Sequence, residues 1–280
     1  MDYNTRTDLA AEAHGHWRAT AGGLSSLSGV SAHEEELYGL TGSLVEIREA
    51  QAASLLHKSV GRYYTLTLPA HFDRGSPDFT SAVRAAAALL SRCLPEGTRS
   101  VLVAALGNPD ITPDALGSLA ASSILVTRHL RGVEDFSGFA SVALCRTGVL
   151  GTSGIESAAH IRLLCDELKP DAVLVIDALA CSDSERLCRT LQFTDAGISP
   201  GSGVGNDRQQ LDRAVLGVPV VAIGYPTVMD AALLSGDSPA LFVTPRSIDS
   251  LVRGAARIIG YAVNVALHGI AIEDVDALLG

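Results

Sequence analysis

Two short apolar runs limit what this chain can fold into more than any other feature of it. One reads Ser100-Val-Leu-Val-Ala-Ala-Leu106 and breaks into Gly107-Asn-Pro-Asp-Ile-Thr-Pro-Asp114. The other reads Ala172-Val-Leu-Val-Ile176 and lands on Asp177. Continuous Val/Leu/Ile-rich runs of this length, bounded by turn residues, read as strands buried on both faces. Such strands need helices above and below them, hence an α/β layer structure. In an open parallel sheet the carboxyl ends of the strands share one edge, and ligands bind in the crevice there. Asp114 and Asp177, far apart in sequence, are thereby expected at one common edge.

The rest of the chain supports that reading. From Ser100 onward, strands alternate with helical patterns. The strands are Val101–Leu106, Ala140–Leu144, Ala172–Ile176, Thr190–Thr194 and Val218–Ile223. The helices are Pro113–Thr127, Ile155–Leu168, a stretch from about Ser182, Asp207–Leu216 and the long amphipathic Ser247–Leu267. Before Ser100, Leu44–Ile47 and Gly61–Leu68 read as strands added antiparallel, and Phe79–Leu94 carries apolar residues at helical spacing. The expected fold is a single α/β domain over residues 1–280, three-layered, with a mostly parallel central sheet and helices on both faces. Met1–Ser31 is polar and Gly/Ser-rich and is expected to be loosely attached.

Composition removes several function classes. A net charge of −10 argues against a basic nucleic-acid-binding surface. The five cysteines form no C-x-x-C pair and suggest reduced thiols in a cytoplasmic compartment. No apolar run reaches the ~20 residues that span a bilayer, so no membrane association is expected. The loop Pro200-Gly-Ser-Gly-Val-Gly-Asn206 has evenly spaced glycines and matches neither the dinucleotide nor the P-loop pattern. It reads as a tight loop, or as one that approaches a substrate main chain. The serine-hydrolase elbow and H-E-x-x-H are absent. His14, His16, His129 and His160 read as surface or helix-packing residues, and a metal held by Asp114, Asp177 and one histidine stays an alternative.

Taken singly, Asp114 suits the first turn of a helix and Asp177 the end of a strand. Together they suit chemistry. Two neighbouring carboxylates do not both ionise readily, so one keeps a proton. The ionised one then activates water while the protonated one donates to a carbonyl oxygen, as amide hydrolysis requires.

At these residues the sequence resembles the germination protease family of spore-forming bacteria. The matching segments are Arg6-Thr-Asp-Leu-Ala10, Gly61-Arg-Tyr-Tyr-Thr-Leu66, Leu106-Gly-Asn-Pro-Asp-Ile-Thr-Pro-Asp-Ala-Leu-Gly117 and Leu125-Val-Thr-Arg-His-Leu130. They continue with Gly148–Glu156, Lys169–Ala180, Asp195–Asn206, Gly217–Gly224 and Val243–Asp249, so the likeness spans nearly the whole chain. The resemblance implies an endopeptidase that degrades small acid-soluble spore proteins during germination, in the forespore or spore core. It also implies a fold akin to hydrogenase maturation peptidases, a homotetramer and a zymogen that processes itself; no cofactor is expected. Asp114 and Asp177 match the family's proposed catalytic aspartates. Within the matching segments, Asn108, Asp110, Glu156, Ser202 and Gly203 are candidates for substrate binding or support. The self-cleavage site corresponds to Asp8 and Leu9, giving a short propeptide over residues 1–8. Two departures stand out: only Met1–Thr5 precede Arg6, and the chain between Asp230 and Val243 is short. Asn108-Pro109-Asp110 also differs from the family's wording and suggests Asp110 as a third carboxylate near the site. The alternatives are a metal-dependent peptidase using the same aspartates and a non-catalytic peptide-binding relative.

Overall fold

The computed structural model of the chain describes residues 7–21, 26–205, 208–235 and 241–279. Its described strands form one nine-stranded sheet. In chain order these are β1 (Val30–Leu37), β2 (Leu40–Ile47), β3 (Gly61–Thr67), β4 (Ser100–Leu106), β5 (Ser141–Gly148), β6 (Ala172–Cys181), β7 (Thr190–Thr194), β8 (Val220–Asp230) and β9 (Phe242–Val243). The spatial order is β1-β2-β3-β7-β8-β6-β4-β5, with β9 paired to β8. Strands β5, β4, β6 and β8 run parallel, and β1, β2, β3 and β7 extend the sheet antiparallel. The reversal at β7 follows from its connection. Residues 182–189 form turns rather than the helix expected from Ser182, and a crossover to a parallel strand needs a longer link.

The helices are α1 (Ala10–Thr20), α2 (Ala50–Leu56), α3 (Pro77–Cys93), α4 (Leu116–Ala121), α5 (Leu150–Ser153), α6 (Ser157–Leu168), α7 (Arg213–Leu216), α8 (Ala232–Ser235), α9 (Ile248–His268) and α10 (Ile272–Leu279). On one face of the sheet, α3, α4 and α9 bury the largest core around Phe79, Leu90, Leu116, Leu174, Phe193 and Ile259. On the other face two separate groups of helices sit side by side. Helices α6 and α7 cover the parallel strands through Ile161, Leu216, Val173 and Val175. Helices α1 and α2 cover β2 and β3 through Ala52, Leu56, Val45 and Tyr63. The three-layer α/β expectation therefore holds, and the gap between the two helix groups positions the site.

Three local differences from the sequence reading have physical reasons. The helix expected over Pro113–Thr127 is a 3-10 turn at Thr112–Asp114 followed by the six-residue α4. It ends at Ser122-Ser123, whose side chains favour turns over helix. Of the helix expected over Asp207–Leu216, Asp207 lies outside the described residues and the described part shrinks to α7, because Leu211 bridges to Ile198 in extended form and Asp212 caps the helix by accepting from the Val215 N–H. Strand β8 runs through Pro226 to Asp230 instead of stopping at Ile223. The proline is tolerated because it sits next to a register shift between Leu179 and Ala180 of β6.

Asn264 is a polar residue in the apolar stripe of α9 and is fully buried. Its carboxamide accepts from the Leu125 N–H (2.9 Å) and donates to the Ser123 carbonyl (2.8 Å), tying the loop after α4 to α9. Asn264→Leu removes the partner of both partly buried loop groups. A stability loss of about 1–3 kcal/mol is expected, with m-value unchanged, in urea unfolding.

Candidate active site

The strand order places the candidate carboxylates. The chain moves outward from β4 to β5 and then returns to the other side of β4 to form β6, so the strand order reverses between β4 and β6. Open α/β sheets bind ligands at such a point. Asp114 lies on the turn that follows β4, and Asp177 lies in β6 itself, one residue beyond the Ala105–Ile176 pairing of the two strands.

Asp177 does not end its strand, as the sequence reading had it. β6 continues to Cys181 because β8 continues beside it, pairing Asp177 with Gly224 and onward to Cys181 with Met229. The carboxyl is consequently buried, with the residue 5% exposed. Its Oδ1 accepts from the Ala178 N–H at 2.9 Å. Burial above all, then the charges of Asp114 and Asp8, push its pKa well above the usual carboxylate range. Asp114 is half-buried, and its Oδ2 accepts from the Asn108 N–H at 2.7 Å. Burial raises its pKa too, opposed by that N–H and by the charge of Arg208. Of the two, Asp177 is the one to hold a proton, since its surroundings penalise its charge more.

Both carboxylates line a cavity of about 520 Å³, together with Asp8, Ser157, Arg208 and Thr227. Asp8 is the third carboxylate of this cavity. Asp110, expected near the site, is exposed in the Asn108–Ile111 turn, where its N–H binds Asn108 Oδ1. Glu156 stands at the N-cap of α6 without making a cap bond, and its neighbour Ser157 faces the cavity instead. His129 and His160 do not line it. Among the described residues, no three His, Cys, Asp or Glu side chains come together as a metal-binding group.

The N-terminal segment is docked, contrary to the loose attachment expected of it. Its described part begins at Thr7; Arg6 lies outside the described residues. Asp8 lies along the edge of β6: its N–H donates to the Ala180 carbonyl (3.0 Å), and its Oδ2 accepts from the Ala180 N–H (2.8 Å). Ser202 Oγ donates to Asp8 Oδ1 at 2.7 Å. Gly203 packs so closely that a Cβ there would run into the same carboxylate. Ser202 and Gly203 thus form a seat for the Asp8 side chain. Leu9 is fully buried against Leu179, Cys181 and Met229. Glu12, 4% exposed, accepts from the Ser182 N–H (2.7 Å) and Oγ (2.6 Å) and the Asp183 N–H (3.2 Å).

Two further side chains hold the main chain of this segment, and sequence reasoning missed both. Lys58 Nζ donates to the Thr7 carbonyl at 2.8 Å; burial lowers its pKa, while Asp8 and Glu12 oppose that shift. Gln192 of β7 accepts from the Ala10 N–H at 2.8 Å and donates to the Asp8 carbonyl at 3.1 Å. Lys58, Gln192 and Asp8 line a second cavity of about 390 Å³, so Asp8 borders both cavities. The signal for Gln192 was present as a lone amide in Thr-Leu-Gln-Phe-Thr, between two apolar residues of a central strand. Arg208, also missed, follows a Gly-rich loop that gives no periodicity to read.

Comparison with known proteins bears on this arrangement. A family model described as germination protease matches residues 8–240. A germination protease of Clostridium perfringens is 35% identical over 328 aligned positions, covering 99% of each chain. One of Bacillus cereus is 40% identical over 243 positions, covering 84% of this chain and 66% of the relative. Among solved structures, the [NiFe] hydrogenase maturation protease HycI of Thermococcus kodakarensis aligns with a TM-score of 0.36 and 19% identity, over 60% of this chain and 95% of that one.

The raised pKa of Asp177 has a consequence for stability. Its folded-state value exceeds the unfolded value of about 3.9. Between the two, the native state binds a proton that the unfolded state does not, so this group's contribution grows as pH falls through the folded value and levels off below the unfolded one. Each unit of separation is worth about 1.4 kcal/mol. Asp177→Asn is therefore expected to be more stable than wild type at pH 8, with the difference shrinking toward pH 4. Thermal unfolding across that range checks it.

Proposed function

This chain belongs to the germination protease family and is a peptidase; on that premise we propose that it is an endopeptidase that opens the degradation of small acid-soluble spore proteins, with Asp114 and Asp177 as its acid–base pair. The observation that carries this reading is the meeting of two carboxylates of raised pKa in one cavity at the strand-order reversal. Asp114, the more readily ionised, takes a proton from water, and the water oxygen attacks the carbonyl carbon. Asp177, protonated, donates to the substrate, and the C–N bond breaks to give a carboxylic acid and an amine. Arg208, lining the same cavity, favours the single negative charge that the pair must carry.

The same reading makes the protein a zymogen that cuts itself between Asp8 and Leu9. The stretch just before α1 supports it: Asp8 borders the cavity, and Leu9 is extended before the helix starts at Ala10. Asp8 is hydrogen-bonded to the edge of β6 beyond Asp177, and its side chain is seated by Ser202 and Gly203. Family membership further suggests a homotetramer acting in the forespore or spore core. The relative from Clostridium perfringens aligns over 328 positions against the 280 residues here, so it carries insertions that this chain lacks. The short 230–243 segment includes residues 236–240, which lie outside the described residues.

Incubation with a small acid-soluble spore protein, followed by mass spectrometry of both partners, tests the proposal. Discrete substrate fragments and an enzyme beginning at Leu9 are expected. Asp114→Asn and Asp177→Asn should each slow both cuts by about 10²–10⁴-fold, the usual worth of an acid–base group. Wild-type rates in either folded variant would rule out the pair.

A further inference from the structure

Gln192 is placed to act on the bond itself. Three residues form one row across the sheet: Gln192 of β7 pairs with Gly224 of β8, and Gly224 pairs with Asp177 of β6. Paired residues of neighbouring strands point to the same face. That face is the one away from α3 and α9, since the adjacent Leu191, Phe193 and Ile176 all enter the core beneath those helices. The middle position is a glycine, where a Cβ would collide with the Leu179 side chain. Amide and carboxyl therefore stand two strands apart on one face, with the Leu179 side chain of β6 lying over the glycine between them and lining both cavities.

The Asp8–Leu9 bond is straddled by the Gln192 carboxamide. Ala10 offers an N–H, a donor only, so the atom facing it at 2.8 Å is the amide oxygen. This fixes the orientation of the group: the amide nitrogen faces the Asp8 carbonyl oxygen, at 3.1 Å. Gln192 is itself buried, 6% exposed, so this donor is not diluted by bulk water. The carboxylates Asp114 and Asp177 line one cavity and Gln192 lines the other, with Asp8 bordering both.

We propose that Gln192 is a catalytic residue of this peptidase: its amide N–H polarises the scissile carbonyl and holds the oxyanion, while its amide oxygen fixes the N–H one residue beyond the amine that leaves. The inference rests on the reading of Asp8–Leu9 as the bond that is cut. As water adds to the carbonyl carbon, the C=O electron pair moves to the oxygen, where Gln192 Nε2–H meets it. When that pair returns, the C–N bond breaks and the Leu9 nitrogen leaves with a proton. With the oxygen held by an amide, the Asp177 proton is left for that nitrogen. A neutral donor suits the place, because it adds no charge that would pull the neighbouring carboxyl pKa down.

The experiment compares wild type, Gln192→Met and Gln192→Glu. It uses a peptide with the sequence of residues 6–13, cut in trans by the self-processed enzyme, and the self-processing reaction of each full chain. Met keeps the length and removes both hydrogen bonds; Glu keeps an acceptor for the N–H and removes the donor. Loss of one oxyanion donor is worth about 10²–10³ in kcat. Both variants should lose that much in kcat, Glu with KM near wild type and Met with KM raised. The pH–rate profile of the Met variant should keep the wild-type shape, since an amide does not titrate; a disturbed carboxylate pair would shift it. Thermal unfolding confirms that each variant is folded. Wild-type kcat in a folded Met variant, or a lowered kcat accompanied by a shifted profile, overturns the assignment of Gln192 alone. A wild-type enzyme that cuts this peptide and itself elsewhere overturns the reading of Asp8–Leu9 and the Gln192 proposal with it.

Discussion

The burial of one carboxyl in the interior of a sheet governs the rest of this structure. Asp177 sits where a strand of this kind would normally place a valine, and ionising it there is opposed by desolvation and by two neighbouring acids. Such a group persists only if it is neutral or if its surroundings supply compensation. The surroundings here do little to neutralise it: one backbone N–H from Ala178, and the charge of Arg208 across the cavity. Stability is therefore spent at the site, and the large core beneath α3 and α9 is what makes that tolerable. Strain of this kind, held by a well-packed scaffold, is what an acid–base pair working near neutral pH requires.

Much of this was legible in the chain. The apolar runs at Val101–Leu106 and Ala172–Ile176 specified doubly covered strands, and the residues that break them specified where the carboxylates stand. The reversal of strand order between β4 and β6 was not legible there; it rests on which strands pair across the sheet. What was less legible depended on pairing between distant strands. β6 looked finished at Ile176, yet the apolar Ala178–Cys181 finds a partner in β8 and the strand runs on. Likewise β7 showed its length but not its direction, which the absence of a helix between Cys181 and Thr190 decides.

The N-terminal segment was the hardest part to read. Its composition is that of a loose end, and nothing local in Thr7–Glu12 announces burial. Its anchors lie far along the chain, at Lys58, Ala180, Ser182, Gln192 and Ser202. Asp110 drew attention because it sits inside a motif, whereas Asp8 enters the cavity through tertiary contacts alone. Gln192 illustrates the same limit. In the strand Thr190–Thr194 the polar residues alternate with Leu191 and Phe193, a pattern that ordinarily means a solvated face. Here all five residues are buried, so the polar face meets another part of the protein.

Tethering gives the docked segment a concentration of its own. A peptide joined to its site by a short connection competes at an effective concentration in the millimolar range. A substrate arriving from solution must outcompete it, however well its sequence fits. Under the proposed cut, only the residues up to Asp8 become free to diffuse away. Leu9, Ala10 and Glu12 remain part of a chain that enters α1, still buried beside Met229, Gln192 and Ser182. Half of the groove would thus stay filled by the enzyme's own new terminus, and a substrate from solution would have to displace it before it could bind.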